Sequence, residues 1–140
     1  ESILQVRLNC RLFATGDSFE IGNVAVETFS VPHDACDPVG FLIRTPAGNV
    51  GFLTDLGHAT KLIIERIRAA NVLVLEANHD VKMLQDDPRR PWSLKQRILS
   101  RHGHLSNEAA ADVAEQIVTR IVLSARAREA SRAASAVNKA

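Results

Sequence analysis

Three histidines and two carboxylates are set apart by what precedes or follows them. His33, Asp55 and the pair Glu76 and His79 each come directly after a stretch whose composition reads as a β-strand, and His104 comes just ahead of a helix start. Imidazole and carboxylate bind zinc while leaving it Lewis-acidic, and the same groups move protons near neutral pH. Strand ends gather on one rim of a sheet, where loop-borne chemistry collects, so these five residues can converge. Bland readings compete with each. A lone histidine after a strand is more often a loop residue than a ligand. Asp55, two residues before Gly57, has the context of a turn or cap aspartate, and Glu76 could orient a histidine or cap a helix near residue 80. A basic run, Arg89, Arg90, Lys95, Arg97 and Arg101, contains no acid between its ends. Such a run is ordinarily a solvated face. Around an exposed Trp92, Arg97 and Arg101 could instead position phosphates, which fix register without reading sequence. His102 reads as a loop residue, and Cys36 as packing.

The elements that must hold these residues follow from pattern. Residues 24–31 are rich in β-branched and aromatic types after the turn signal Gly22-Asn23, which predicts a strand that ends before His33. Phe41–Thr45 and Val50–Thr54, joined by Pro46-Ala47-Gly48-Asn49, predict a hairpin that ends at Asp55. Ile63, Ile67 and Ala70 recur at helical spacing opposite Lys61, Glu65 and Arg68, predicting a surface helix over 60–70. Val72–Leu75 is an unbroken apolar run, predicting a strand covered on both faces. Short helices are expected at 81–84 and from Pro91-Trp92 to about Ser100. A longer helix, capped by Ser106 or Asn107, carries Ala110, Val113, Ala114, Ile117, Val118 and Ile121 along one stripe. Ile121-Val122-Leu123 fits a short strand or continued helix. The sum is an α/β layered architecture.

Composition narrows the function classes. The 140 residues are 46% hydrophobic, enough for one core, and the formal charge of +1 gives no bulk attraction to nucleic acid or membrane. Cys10 and Cys36 form no CxxC pair, which fits a reducing cytosol and a cytoplasmic protein better than a disulfide scaffold. No apolar run approaches the roughly 18 residues of a membrane span, so no membrane partner is expected. The chain begins without methionine and turns apolar within three residues, which suggests a piece of something longer.

Longer strings carry a resemblance. His33-Asp34-Ala35-Cys36-Asp37-Pro38-Val39-Gly40, then a hairpin, then Thr54-Asp55-Leu56-Gly57 resembles the third and fourth metal motifs of metallo-β-lactamase-fold nucleases. Leu73-Val74-Leu75-Glu76-Ala77-Asn78-His79-Asp80, Pro91–Ser100 and Gly103-His104-Leu105-Ser106-Asn107 are similar to the YycJ/WalJ-like group of that family. Three long strings in order are more specific than one ligand spacing. The resemblance implies the C-terminal half of a four-layer αββα sandwich, a mixed sheet flanked by helices, over residues 1–140. His33 would ligate one metal and Asp55 bridge two, zinc or manganese. By likeness to the ribonuclease Z group, His104 would be a general acid at the scissile phosphate; Glu76 and His79, placed by their position after a strand, are the further catalytic candidates.

The resemblance also implies what is missing. No His-x-His-x-Asp-His string, the family's main ligand motif, occurs in the sequence, and Ala125 stands where the family has its last ligand histidine. The expected parent is a cytoplasmic metal-dependent hydrolase, a phosphodiesterase or exonuclease acting on nucleic acid through metal-activated water, and the chain alone is expected to be inactive without the other half of the fold. Alternatives of other classes are a degenerate nucleic-acid-binding module without chemistry and a small-ester or thioester hydrolase of the same fold.

Overall fold

The computed structural model describes residues 10–118. Five strands, β1 (Ser18–Ile21), β2 (Val24–Ser30), β3 (Val39–Thr45), β4 (Gly48–Leu53) and β5 (Val72–Leu75), form one sheet in the order β1-β2-β3-β4-β5. The first four pair antiparallel as a meander. β5 returns parallel to β4 after the helix α1 (Lys61–Ile67), so the sheet is mixed. Helices α2 (Val81–Asp86), α3 (Trp92–Ile98) and α4, residues 107–118, follow. Sequence pattern had not marked β1, whose four residues pair with β2 across the Gly22 turn. There φ is +62°, a value glycine adopts without strain.

Register sorts the side chains. Phe29, Leu42 and Leu53 face the helices and build the core with Ile63, Ile64 and Ile67 of α1, Leu105, and Val113 and Ile117 of α4. Leu42, Leu53, Leu56, Ile67 and Leu105 are fully enclosed, each worth about 1.5–3 kcal/mol of burial. Gly40 is required here, since a Cβ would come within 2.7 Å of the Phe29 ring. The other face carries the cross-strand rows Val26, Ile43, Val50, Val72 and Thr28, Phe41, Phe52, Val74. Phe13 packs edge-on against Phe41 at 6.1 Å. Toward β5 that face is open: Phe52, Val72 and Val74 are exposed, Val72 at 57%. The expected cover on both faces of β5 is therefore present on one face only among the described residues. Only Leu73 and Leu75 have a helix over them, and β5, like β1, is an edge strand among the described residues.

Caps fall where hydroxyls and carboxylates precede helices. Thr60 accepts from Ile63 N, Asp80 from Met83 N at 2.7 Å, and Ser106, not Asn107, from Ala109 N at 3.1 Å. Asp80 thus takes the capping role that Glu76 could have had. Cys36 is exposed in the β2–β3 connection rather than packed, because that segment runs over the surface, and both cysteines are free thiols. No helix among the described residues is long and apolar enough to cross a membrane. The expected strand or helix at 121–123 and Ala125 lie outside the described residues.

Candidate metal and catalytic site

Three short connections leave the same rim of the sheet and are stitched together by their backbones. The loop after β2 begins with buried Val31, and Asp34 N donates to His102 O at 2.9 Å. The loop after β4 is anchored by fully buried Leu56, and Gly57 N donates to Pro32 O at 2.8 Å. The loop after α3 touches both, through His102 O on the first and Arg101 O, 3.1 Å from His58 Nδ1, on the second. A Cβ on Gly57 would sit 2.3 Å from Arg101 O, and one on Gly103 2.1 Å from Ile98 O, so both glycines are demanded by close backbone approach. This tight bracket carries His33, Asp55 and His104.

The three residues meet. Each offers one ligand atom within 4.8 Å of the others, and the His33 and His104 rings lie 5.0 Å apart. His33 Nδ1 is 2.9 Å from Gly103 O, which can only accept. Nδ1 therefore carries the proton and Nε2 is the lone pair left for a ligand, at 3.6 Å from Asp34 Oδ1. Asp55 is the one non-glycine among the described residues with positive φ, +54°, and its side chain is 64% exposed. The left-handed backbone costs about 1–3 kcal/mol and persists where its surroundings impose it, often at working sites.

Glu76 supplies that imposition. Its side chain is only 9% exposed; Oε2 accepts Asp55 N at 2.6 Å and Oε1 accepts Leu105 N at 2.8 Å. Both oxygens lie 3.1–3.2 Å from His104 Nδ1. One carboxylate thus fixes the backbone of Asp55, the backbone beyond His104 and the His104 ring. With Nδ1–H given to Glu76, His104 Nε2 is free to take or give a proton, while His104 Nδ1 stays 3.7 Å from Asp55 Oδ1.

The remaining predicted residues separate from this cluster. His79 stands outside it, with Nδ1 enclosed and without a hydrogen-bond partner. Burial, with the nearby charge of His104 second, lowers its pKa from the usual 6.5, so it is neutral near pH 7. The basic run is not a bare cationic face, because acids outside the run neutralise it. Arg97 pairs with Asp34, whose carboxyl is held below its ordinary value chiefly by that hydrogen bond. Arg89 and Arg90 pair with Asp87, whose pKa falls to about 2, first through its hydrogen bond with Arg89. Lys95 is buried, with Nζ donating to Gln85 O at 2.7 Å at the end of α2. Arg101 turns to His58, donating to Nε2 at 3.2 Å while His58 Nδ1 meets Arg101 O at 3.1 Å. Of the three residues expected at phosphate, Arg97 alone lines the cleft beside His33 and His104, about 470 Å³ in volume. Arg90 and Asn78, not singled out from sequence, line it too. Arg90 belonged to the visible basic run, whereas Asn78 had no signal of its own.

Comparison with known proteins assigns the class. The Beta-lactamase superfamily domain matches residues 1–124, and the chain belongs to that superfamily. Its mixed sheet and flanking helices are those of the metallo-β-lactamase fold: the chain is similar to Zn(2+)-bound PqqB from Methylobacterium extorquens, with TM-score 0.51 at 20% identity over 71% of this chain and 33% of that one. In sequence it is 39% identical over 77% of its length to exodeoxyribonuclease YycJ of Bacillus anthracis, covering 40% of that protein. It is 37% identical over 72% of its length to exodeoxyribonuclease WalJ of Streptococcus pneumoniae serotype 2, covering 37%. The chain thus spans about two fifths of the curated relatives it matches, and it is a YycJ/WalJ-like member of the metallo-β-lactamase fold.

Proposed function

We propose that this chain is the proton-handling and part of the metal-binding half of a metal-dependent phosphodiesterase that degrades DNA from an end. The observation that carries the reading is Glu76 gripping His104 beside His33 and Asp55, with relatives named exodeoxyribonucleases in support. The donor set of imidazole nitrogen and carboxylate oxygen suits zinc or manganese, and both histidines have Nδ1 engaged by protein acceptors, which leaves Nε2 available. His33 and Asp55 are assigned to the metal and His104 to the proton. A divalent ion held there supplies Lewis acidity and lowers the pKa of bound water. His104, oriented by the Glu76 carboxylate, donates a proton carried on Nε2 to the leaving oxygen, which leaves the ring neutral, and solvent returns the proton to Nε2 before the next turnover.

Two features support a partial domain whose remainder lies elsewhere in the protein. His33 and Asp55 are fewer ligands than one catalytic zinc ordinarily draws from protein, and two metals need more. The outer face at Phe52, Val72 and Val74 is apolar and open, the condition of a sheet that lacks its second layer. We read the missing layer as the source of the missing ligands. The non-catalytic binding module is the second reading, favoured by Ala125, which stands where the family has its last ligand histidine. The test is hydrolysis of 5′- and 3′-labelled DNA by the full-length protein with manganese or zinc, then with chelator. Chelator-sensitive release of mononucleotides is expected; DNA binding without cleavage under any divalent metal would leave the module reading.

A further inference from the structure

The cleft at His33 and His104 does not end at those residues. Asn78, Arg90 and Ile98 line both it and a neighbouring cavity of about 480 Å³, whose other walls include His79, Met83 and Asn107. The two spaces are therefore adjacent, with these three residues lining both. Each has the volume of a small-ligand pocket.

Their linings differ in kind. Beside His104, Arg90 and Arg97 each give Nε to a carboxylate, Asp87 and Asp34, and their terminal guanidinium nitrogens are left to meet an anion. In the neighbouring cavity Arg89 and Arg90 are matched by Asp80 and Asp87, and what remains is amide, imidazole and apolar surface. That second lining suits an uncharged group with a flat apolar face and a hydrogen-bonding edge. Asn amides can offer a donor and an acceptor together to such an edge. His79 adds to the wall a ring that burial keeps neutral, a flat face against which an uncharged ring can lie.

We propose that the two adjacent cavities together form a mononucleotide site. The phosphate lies toward His104 between Arg90 and Arg97, the sugar passes Asn78 and Ile98, and the nucleobase enters the cavity of His79, Met83 and Asn107. This rests on the nuclease reading, since it names where the terminal nucleotide would sit relative to His104.

The test is calorimetric titration of the full-length protein in chelator with deoxyadenosine 5′-monophosphate, deoxyadenosine and inorganic phosphate. The nucleotide is expected to bind roughly tenfold or more tightly than inorganic phosphate, the scale of one good base-edge contact. His79→Leu and Asn107→Ala should each remove most of that advantage without changing phosphate binding, and Arg90→Gln should weaken nucleotide and phosphate alike. Melting curves matching the parent's qualify each variant; should His79→Leu fail to fold, Asn107→Ala carries the comparison. A nucleotide that binds no tighter than phosphate, or an advantage untouched by either variant, overturns the proposal. DNA cleavage without that advantage would remove the pocket and keep the nuclease. A selective pocket in a protein that never cleaves DNA would do the reverse.

Discussion

Replacing Glu76 with glutamine keeps the shape of the side chain and removes one acceptor. The carboxylate serves Asp55 N at 2.6 Å through one oxygen, Leu105 N at 2.8 Å through the other, and His104 Nδ1 through both. An amide has a single oxygen. Whichever way it turns, one backbone N–H faces an NH2 group, and the His104 bond loses its charge. Leaving a buried donor unsatisfied costs about 1–3 kcal/mol, and a charge-assisted bond is worth about 1.5–3 kcal/mol against roughly half that for a neutral one. Because the side chain is 9% exposed, water cannot replace the lost partner fully. The sum for Glu76→Gln is a destabilisation of about 2–4 kcal/mol, read as a shift in the urea midpoint with an unchanged slope.

A second readout separates this from a merely structural loss. Nitrogen NMR of the imidazole reports the tautomer, and His104 should lose its fixed Nδ1–H form in Glu76→Gln while His33, held by Gly103 O, keeps its own. In the full-length protein, turnover should fall by about 10²-fold or more. A midpoint corresponding to less than about 0.5 kcal/mol together with an unmoved His104 tautomer would refute the assignment of Glu76 as the hub of the site.

Gly103→Ala should destabilise by several kcal/mol, since a Cβ would stand 2.1 Å from the Ile98 carbonyl, whereas a Cβ on Gly16 meets nothing within 4 Å, leaving only the backbone cost of its positive φ; paired denaturation curves compare the two. In the full-length protein His33→Ala and Asp55→Ala should lower bound metal by elemental analysis, while His104→Ala keeps it and slows turnover about 10²-fold to 10⁴-fold; metal lost with His104 would make that residue a ligand. His79 gives a pH dependence: its folded pKa lies below the ordinary 6.5, so as pH falls through 6.5 the unfolded chain takes up the proton first and stability declines until the lower folded pKa is passed. His79→Leu should flatten the stability profile between about pH 7 and pH 5, and an unchanged slope would assign that dependence to other groups.

What was legible in the sequence is what depends on neighbours in the chain. The hairpin of β3 and β4, the helix at 60–70 and the stripe of α4 follow from periods of two and 3.6, and the strand ends pointed to one rim. The meeting of His33, Asp55 and His104 came from strings resembling a family, not from spacing. Partners chosen across long loops left no local trace. Arg97 looked free because Asp34 lies 63 residues earlier, and Glu76 reaches 21 residues back to Asp55 and 29 forward to Leu105. At β5, four apolar residues in a row do not say which face this part of the protein covers; Val72 and Val74 alternate outward with Leu73 and Leu75 inward. Lys95 shows the opposite error, a charge within a basic run that spends its donor on a helix-end carbonyl.

The site divides along the same line as the fold. Everything that orients His104 comes from within the chain: Glu76 at the end of β5, the backbone of Leu105, and the loop pinned to Gly57 and Asp34. The bonds close on one another, and this half of the chemistry asks for no further residue. The metal cluster and the outer sheet face are different, because among the described residues each is open on one side: Asp55 is two thirds exposed, and Phe52, Val72 and Val74 face outward. A second sheet packed on that face would bury the apolar row and bring its own strand-end loops to the rim where His33 and Asp55 wait. Burial of that apolar face and completion of the metal shell are then one event, so metal affinity should depend on the rest of the protein far more than the His104 tautomer does.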